Sequence, residues 1–183
     1  PHLWYRRQRQ MCIRDRAGLL CVAIAAGVLA LYAPVGSHEF LEYDDGLYVT
    51  DRAPVQAGLT RETVLWAFRA TTIGNWHPFT WLSHAADVEW YGLDPGRHHW
   101  TSVVLHAAVA VVLLLTFWRA TGALFASALV ASLFAFHPLR LESVAWIAER
   151  KDVLCGLFFL LAIAAHTGYA RRPSPLRYAG LVS

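Results

Sequence analysis

Lysine is nearly absent from this chain of 183 residues, and charge of either sign is scarce. Lys151 is the single lysine, and charged residues make up 16% of the sequence, against roughly 25% in soluble domains. Hydrophobic residues reach 56%, above the usual level of about 45–50%. This composition argues against an ordinary soluble domain. It also makes the excess of arginine a sign of membrane topology and not of nucleic-acid binding.

Several familiar chemical motifs are missing as well. The three cysteines, Cys12, Cys21 and Cys155, form no CxxC pair, which excludes a cysteine zinc site or a disulfide framework by spacing. We expect them to be small buried hydrophobic residues. The nine histidines include no HExxH or comparable spacing, so neither a metal ligand set nor a cofactor is predicted. We expect His106 and His166, which lie inside apolar runs, to form interhelical hydrogen bonds.

Long apolar runs are what the chain does contain. They cover residues 17–35, 100–118, 121–138 and 153–169. Since a bilayer core needs about 20 helical residues, the pattern predicts an all-α, polytopic transmembrane helical bundle. A signal peptide is the alternative for the first run. A further span is expected to begin at Tyr178, and residues 1–16 are either a cytoplasmic leader or non-native sequence.

Arginines mark one side of this predicted bundle. They lie before the first run, between the second and third, and after the fourth: Arg6, Arg7, Arg9, Arg14, Arg16, Arg119, Arg171, Arg172 and Arg177. By the positive-inside rule this side, with the N-terminus, is cytoplasmic. Residues 36–99 and 137–152 are then outer loops on the opposite side.

The first outer loop is predicted to contain two amphipathic helices. Thr60 is the expected N-cap of one, with Val64, Leu65 and Phe68 on a common face. The other is expected over residues 78–90. We expect these juxtamembrane helices to lie on the membrane surface; the alternative is a small soluble subdomain between the spans.

An acidic pair, Asp44 and Asp45, follows the first apolar run. Two adjacent carboxylates in a poorly solvated pocket cannot both ionise easily, so one of them can act as a general base. The alternative is a solvated turn, because Asp44-Asp45-Gly46 is ordinary turn sequence.

The second outer loop combines acidic and basic residues. Helical spacing would place Glu142, Trp146 and Glu149 on one face. Arg150 and Lys151 would then form a compact cationic patch suited to a lipid phosphate. Salt bridges at the start of a helix are the alternative explanation for these charges.

Four segments together resemble a known family. They are Tyr43-Asp44-Asp45, residues 75–84, residues 92–95 and residues 137–152. The stretch 142–152 within the last segment is the most specific. They resemble the bacterial relatives of the transmembrane and tetratricopeptide-repeat (TMTC-type) O-mannosyltransferases of the GT-C glycosyltransferase superfamily. The resemblance covers about residues 40–178.

The resemblance implies a polytopic enzyme of the bacterial inner membrane with its active site facing the periplasm. Such an enzyme moves a sugar, here expected to be mannose, from a polyprenyl-phosphate carrier to a Ser or Thr hydroxyl of a protein. By carry-over, Asp44 is the expected base and Asp45 its partner. Arg150 and Lys151 would bind the lipid phosphate, with His137 and Glu142 near the same pocket.

Family members have more spans and a C-terminal repeat array, so we interpret the chain as an N-terminal fragment that is inactive alone. Two other functions stay open. A non-catalytic membrane module would bind a lipid phosphate or a partner protein through the cations alone. A small transporter would use Asp44 and the histidines as a proton relay.

Overall fold

The chain is helical throughout the part that the structure describes. The computed structural model describes residues 2–182, without the side chains of residues 2–12, 73, 176, 177, 181 and 182. The α-helices are α1 (His2–Leu31), α2 (Ala53–Gln56), α3 (Arg61–Arg69), α4 (Pro78–Tyr91), α5 (Pro95–Thr121), α6 (Leu124–Phe136), α7 (Arg140–Ala145), α8 (Arg150–Arg171) and α9 (Pro175–Val182). A π-helical turn covers Gly46–Thr50, and 3₁₀ turns cover Ala33–Ser37, Thr72–Gly74 and Ile147–Glu149. No strand occurs among these residues, which confirms the predicted all-α class.

The long helices form a bundle around α5. Helices α1, α6 and α8 all pack against α5, and their common core includes Val28, Leu114 and Ala131, each buried completely or nearly so. The bundle is close-packed where α1 meets α6, because a side chain at Gly27 would collide with the ring of Phe136. His106 of α5 contributes a polar link, with Nε2 lying 3.1 Å from the carbonyl oxygen of Ala135 in α6. This confirms the interhelical role expected of His106, whereas His166 is exposed.

Within the part of the chain that the structure describes, two helical segments are long and apolar enough to cross a membrane. They are Pro95–Thr121 and Ile147–Arg171. Helix α6 has 13 residues and a length of about 20 Å, short of a bilayer core of about 30 Å. It ends at Phe136 because the residue before Pro138 is disfavoured in helical conformation. The predicted topology of four spans therefore remains a prediction, with two helices meeting the length criterion.

Both ends of α5 follow from local sequence. Asp94 is the N-cap and accepts a hydrogen bond from the backbone N–H of Arg97, and Pro95 occupies the first turn. Gly122 ends the helix with φ of +78°, the left-handed conformation that glycine adopts without strain. At this end Arg171 donates to the carbonyl oxygen of Ala120 at 3.0 Å. The arginines around positions 119 and 171 therefore lie at one end of the bundle, as predicted.

The two outer loops meet at the opposite end and share a core of their own. Buried residues from both loops form it: Tyr48, Val49, Val55, Ala67, Trp81, Ile147 and Ala148. Helices α3 and α4 match the predicted amphipathic helices, and Thr60 is the N-cap of α3 as expected. The apolar residues of α3 are instead partly exposed, at 37–47% for Val64, Leu65 and Phe68. The shared core joins the two loops into one packed unit, and the placement of α3 and α4 on the membrane surface stays a prediction.

The second outer loop is not one continuous helix. Helix α7 ends at Ala145, Trp146 is extended with φ −95° and ψ 121°, and α8 begins only at Arg150. The predicted common face for Glu142, Trp146 and Glu149 is therefore wrong. The reason is tertiary, since the backbone N–H of Ala148 bonds to a carboxylate of the first outer loop and not to a helical carbonyl.

The cysteines do not behave as one group. Cys21 is half-buried and Cys155 is exposed on α8, so the expectation of a buried role is wrong for Cys155. Its helix turns Phe158, Phe159 and Leu161 outward as well. The side chain of Cys12 lies outside the described residues.

Candidate active site

The acidic pair divides between a buried and an accessible carboxylate. Asp45 is completely buried. Its Oδ2 accepts a hydrogen bond from the backbone N–H of Leu41 at 2.9 Å, and its Oδ1 accepts one from the N–H of Ala148 at 3.0 Å. Burial raises the pKa of Asp45, and the two backbone N–H groups act in the opposite direction. Asp45 thus holds the two outer loops together.

Asp44 is the carboxylate that remains partly exposed. Its carbonyl oxygen accepts a hydrogen bond from the N–H of Tyr48 at 3.1 Å, which fixes the turn. Within the described part of the chain, no hydrogen bond engages the Asp44 carboxylate. A carboxylate that is rigidly placed yet accessible meets the geometric requirement for a general base better than its buried neighbour.

Lys151 lies beside this acidic turn. Its ammonium group is 2.6 Å from Glu149 Oε1, 3.3 Å from the carbonyl oxygen of Ala148 and 5.2 Å from the ring centre of Tyr48. Ala148 therefore bonds to Asp45 through its N–H and to Lys151 through its carbonyl. The path through this one residue places the Asp45 carboxylate within about 10 Å of the ammonium group. The side chain of Lys151 is 28% exposed, so its charge remains reachable.

Arg150 does not share an exposed patch with Lys151. Its guanidinium is completely buried, forms an ion pair of 2.6 Å with Asp87 and donates to the carbonyl oxygen of His98 at 2.6 Å. It also donates to Ser102 and Ser83. Adjacent residues on a helix point about 100° apart, which explains why the two cations have separate partners. Arg150 joins α4, α5 and α8 and faces no ligand space.

His137 and Glu142 lie at the same end of the bundle but outside this cluster. Both are exposed. The Nδ1 atom of His137 accepts a hydrogen bond from the N–H of Leu139 at 3.2 Å and so stabilises the turn before α7. In the described part of the chain, no contact joins either residue to Asp44, Asp45 or Lys151.

Three rings form a stack behind the acidic turn. The ring centres of Tyr48, His77 and Trp81 are 4.9–5.6 Å apart. Burial lowers the pKa of His77, and the charge of Lys151 lowers it further, so the imidazole is neutral near pH 7. The stack supports Tyr48, over which Lys151 lies. From the sequence alone, His77 is identified only as part of the segment 75–84, which resembles the family.

A second group that sequence reasoning missed is buried on α4. His84 and Asp87 are almost completely buried beside Arg150. Neither ring nitrogen of His84 has a hydrogen-bond partner among the described residues. The sequence does contain a sign of this group, because His84 and Asp87 lie three residues apart on the apolar face of an amphipathic helix. There they need partners from elsewhere in the fold.

His84 should make the protein sensitive to acid. Burial, followed by the nearby charge of Arg150, lowers the pKa of His84 well below 6.5. The unfolded chain takes up a proton near pH 6.5. The contribution of neutral His84 to the free energy of unfolding is therefore complete above pH 6.5 and is lost as pH falls towards the pKa of His84 in the folded protein. We expect His84→Phe to flatten this dependence by about 1 kcal/mol per pH unit below pH 6.5.

Thermal unfolding of both proteins between pH 8 and pH 5 would measure this effect. His166→Gln, at an exposed histidine, is the matched control and should leave the pH profile unchanged. An unaltered profile in His84→Phe would show that His84 is not the acid-sensitive group.

Comparisons with known proteins point to one group of enzymes. The chain is 31% identical over 169 residues to protein O-mannosyl-transferase TMTC1 of Mus musculus, covering 84% of this chain and 18% of that protein. It is 38% identical over 96 residues to protein O-mannosyl-transferase tmtc2 of Xenopus laevis, covering 50% and 11%. Over 88 residues it is 34% identical to TMTC4 of Homo sapiens, covering 41% and 12%. The chain is thus similar to TMTC-type O-mannosyltransferases.

The likeness concerns a limited part of these relatives. The chain spans less than a fifth of the length of each of them. No family model matches the chain. No solved structure matches it either.

Proposed function

We propose that this chain is the N-terminal part of a TMTC-like, GT-C type membrane glycosyltransferase of bacterial origin. In this proposal the whole enzyme transfers mannose from a polyprenyl-phosphate carrier to a Ser or Thr hydroxyl of an acceptor protein. The transfer occurs on the non-cytoplasmic face, where the two outer loops lie. The similarity to O-mannosyltransferases supports the enzyme class.

One observation carries the proposal beyond similarity. Asp45 of the acidic turn and Ala148 are 103 residues apart in sequence, yet Ala148 bonds both to the Asp45 carboxylate and to the Lys151 ammonium group. The Asp45 carboxylate and the Lys151 ammonium group lie within about 10 Å of each other, about the size of a sugar phosphate, and Asp44 is the residue next to Asp45 in the same turn. An acidic turn that served only as a solvated loop would need no hydrogen bond to the segment that carries Lys151.

The proposed chemistry is a displacement at the anomeric carbon with inversion. Asp44 accepts the proton of the acceptor hydroxyl as its oxygen forms a bond to the anomeric carbon. The bond between that carbon and the phosphate oxygen breaks at the same time, and the lipid phosphate leaves with the electron pair. Lys151 stabilises the negative charge that develops on the departing phosphate.

The other predicted site residues receive supporting roles. Arg150 positions Lys151 by fixing the start of α8 against α4 and α5. His137 and Glu142, which are exposed at the outer end, are proposed to face the donor headgroup or the acceptor and not the reacting atoms.

A donor-binding measurement tests the role of Lys151. In the full-length enzyme, we expect Lys151→Gln to raise the Kd for polyprenyl-phosphate mannose by about tenfold, because a charge-assisted contact with the phosphate is lost. Lys151→Arg should retain most of the affinity. Arg119→Gln removes a cation at the opposite end of the bundle and should leave the Kd unchanged. Equal affinities for Lys151→Gln and wild type would remove Lys151 from the donor site.

A further inference from the structure

A groove that is distinct from the candidate active site runs along the bundle between α5, α6 and α8. Its volume is about 330 Å³, at the lower end of the range for small-molecule sites. Most of the lining is apolar, and the residues include Val109, Leu113, Phe117, Val153, Leu160 and Ile163.

The groove has the direction and length of a lipid chain. On α5 its lining extends from His106 to Phe117, a rise of about 16 Å. On α8 it extends from Asp152 to Ile163. Gly156 leaves the middle open, since a Cβ atom there would lie 3.8 Å from Val109, the one neighbouring residue of the described part of the chain that lies within 4 Å of it outside the helix itself. An extended hydrocarbon chain that enters from the outer end would fit along this axis.

Two charges of opposite sign stand at the outer end of the groove. The guanidinium of Arg140 lies 4.4 Å from the ring centre of Phe134. The carboxylate of Asp152 accepts a hydrogen bond from Ser143 at 3.3 Å. Among the described residues, Arg140 and Asp152 form no ion pair with each other or with another side chain. The rim therefore offers one cation and one anion, neither of them in an ion pair among the described residues, above an apolar channel.

We propose that this groove binds one acyl chain of a zwitterionic phospholipid with an amine headgroup. The phosphate of the lipid pairs with Arg140 and its ammonium group pairs with Asp152, which satisfies both rim charges. The proposal depends on the membrane placement of the proposed function and concerns a site other than the donor site. A polyprenyl phosphate carries only negative charge, so it would leave Asp152 unpaired and be repelled by it.

Photo-crosslinking of the full-length protein tests the proposal. The probe is a phosphatidylethanolamine with a photoactivatable acyl chain, diluted into phosphatidylcholine vesicles, and the crosslinked residues are mapped by peptide mass spectrometry. We expect crosslinks on Val109, Leu113 or Leu160. Arg140→Gln and Asp152→Asn should each lower the yield by about five- to tenfold, the loss of one charge-assisted contact.

Gly156→Leu fills the groove and should abolish the crosslinks, whereas Gly18→Leu, at a glycine of α1 with open space around it, should not change them. Melting temperatures of all variants identify any that fail to fold. Crosslinks outside the groove, or crosslink yields that do not change in Arg140→Gln and Asp152→Asn, would overturn the proposal.

A photoactivatable polyprenyl phosphate tests the alternative ligand. If Asp152→Asn increases its crosslinking in the groove, the groove belongs to the sugar donor. Retained mannosyl transfer in Asp152→Asn would separate failure of this proposal from failure of the enzyme assignment.

Discussion

Asp44→Asn in the full-length enzyme should reduce mannosyl transfer by about 10²–10⁴-fold, the contribution of a general base. The amide is nearly isosteric but accepts no proton from the acceptor hydroxyl. Because Asp44 is partly exposed and its carboxylate has no partner among the described residues, the fold should tolerate the change. Transfer of labelled mannose from polyprenyl-phosphate mannose to an acceptor peptide would measure the loss.

Two controls make this result specific. The Kd for the donor should stay within about twofold of wild type, because Lys151 is unaltered. Glu62→Gln removes an exposed carboxylate of α3 that has no role in the proposed site, and we expect its effect on transfer to be far smaller. Undiminished transfer in Asp44→Asn would eliminate the base assignment. A full-length protein that binds the donor yet transfers nothing even as wild type would instead support the non-catalytic membrane module.

Arg150→Met should destabilise the protein by about 3–5 kcal/mol, the second large effect. The substitution leaves the carboxylate of Asp87 buried without its counter-ion, and an uncompensated buried charge is costly. The hydrogen bonds to His98 and Ser102 are lost at the same time. The free energy of unfolding in denaturant would report the change, together with faster proteolysis of the outer loops.

The matched variants separate charge burial from simple packing. Lys151→Met removes the neighbouring but partly exposed cation, and we expect it to cost at most about 1 kcal/mol. The double variant Arg150→Met with Asp87→Leu should recover most of the lost stability, because neither charge then remains alone. If the double variant were as unstable as Arg150→Met, the ion pair would not be the source of the effect.

Local sequence rules account for much of the helical framework. Asp94-Pro95 at the start of α5, Gly122 at its end and Thr60 before α3 are capping signals whose physics acts within one turn. The apolar periodicity of residues 78–90 likewise places α4 within one residue of its observed end. The same rules failed between Glu142 and Glu149. The local sequence is compatible with a continuous helix there, but the backbone N–H of Ala148 donates its hydrogen bond to the Asp45 carboxylate instead of a helical carbonyl.

The sequence by itself determined that the protein is helical and apolar, where α3 and α4 begin, and that Asp44, Asp45 and Lys151 are charges beside apolar runs. These properties depend on neighbouring residues and on composition. Only the tertiary structure decided which charge is accessible. Asp45 is buried and has a structural role, whereas Asp44 remains accessible. Arg150 is enclosed by its partners Asp87 and Ser102, whereas Lys151 remains partly exposed. A charge becomes structural or functional according to the groups that surround it, and those groups come from segments up to 103 residues away.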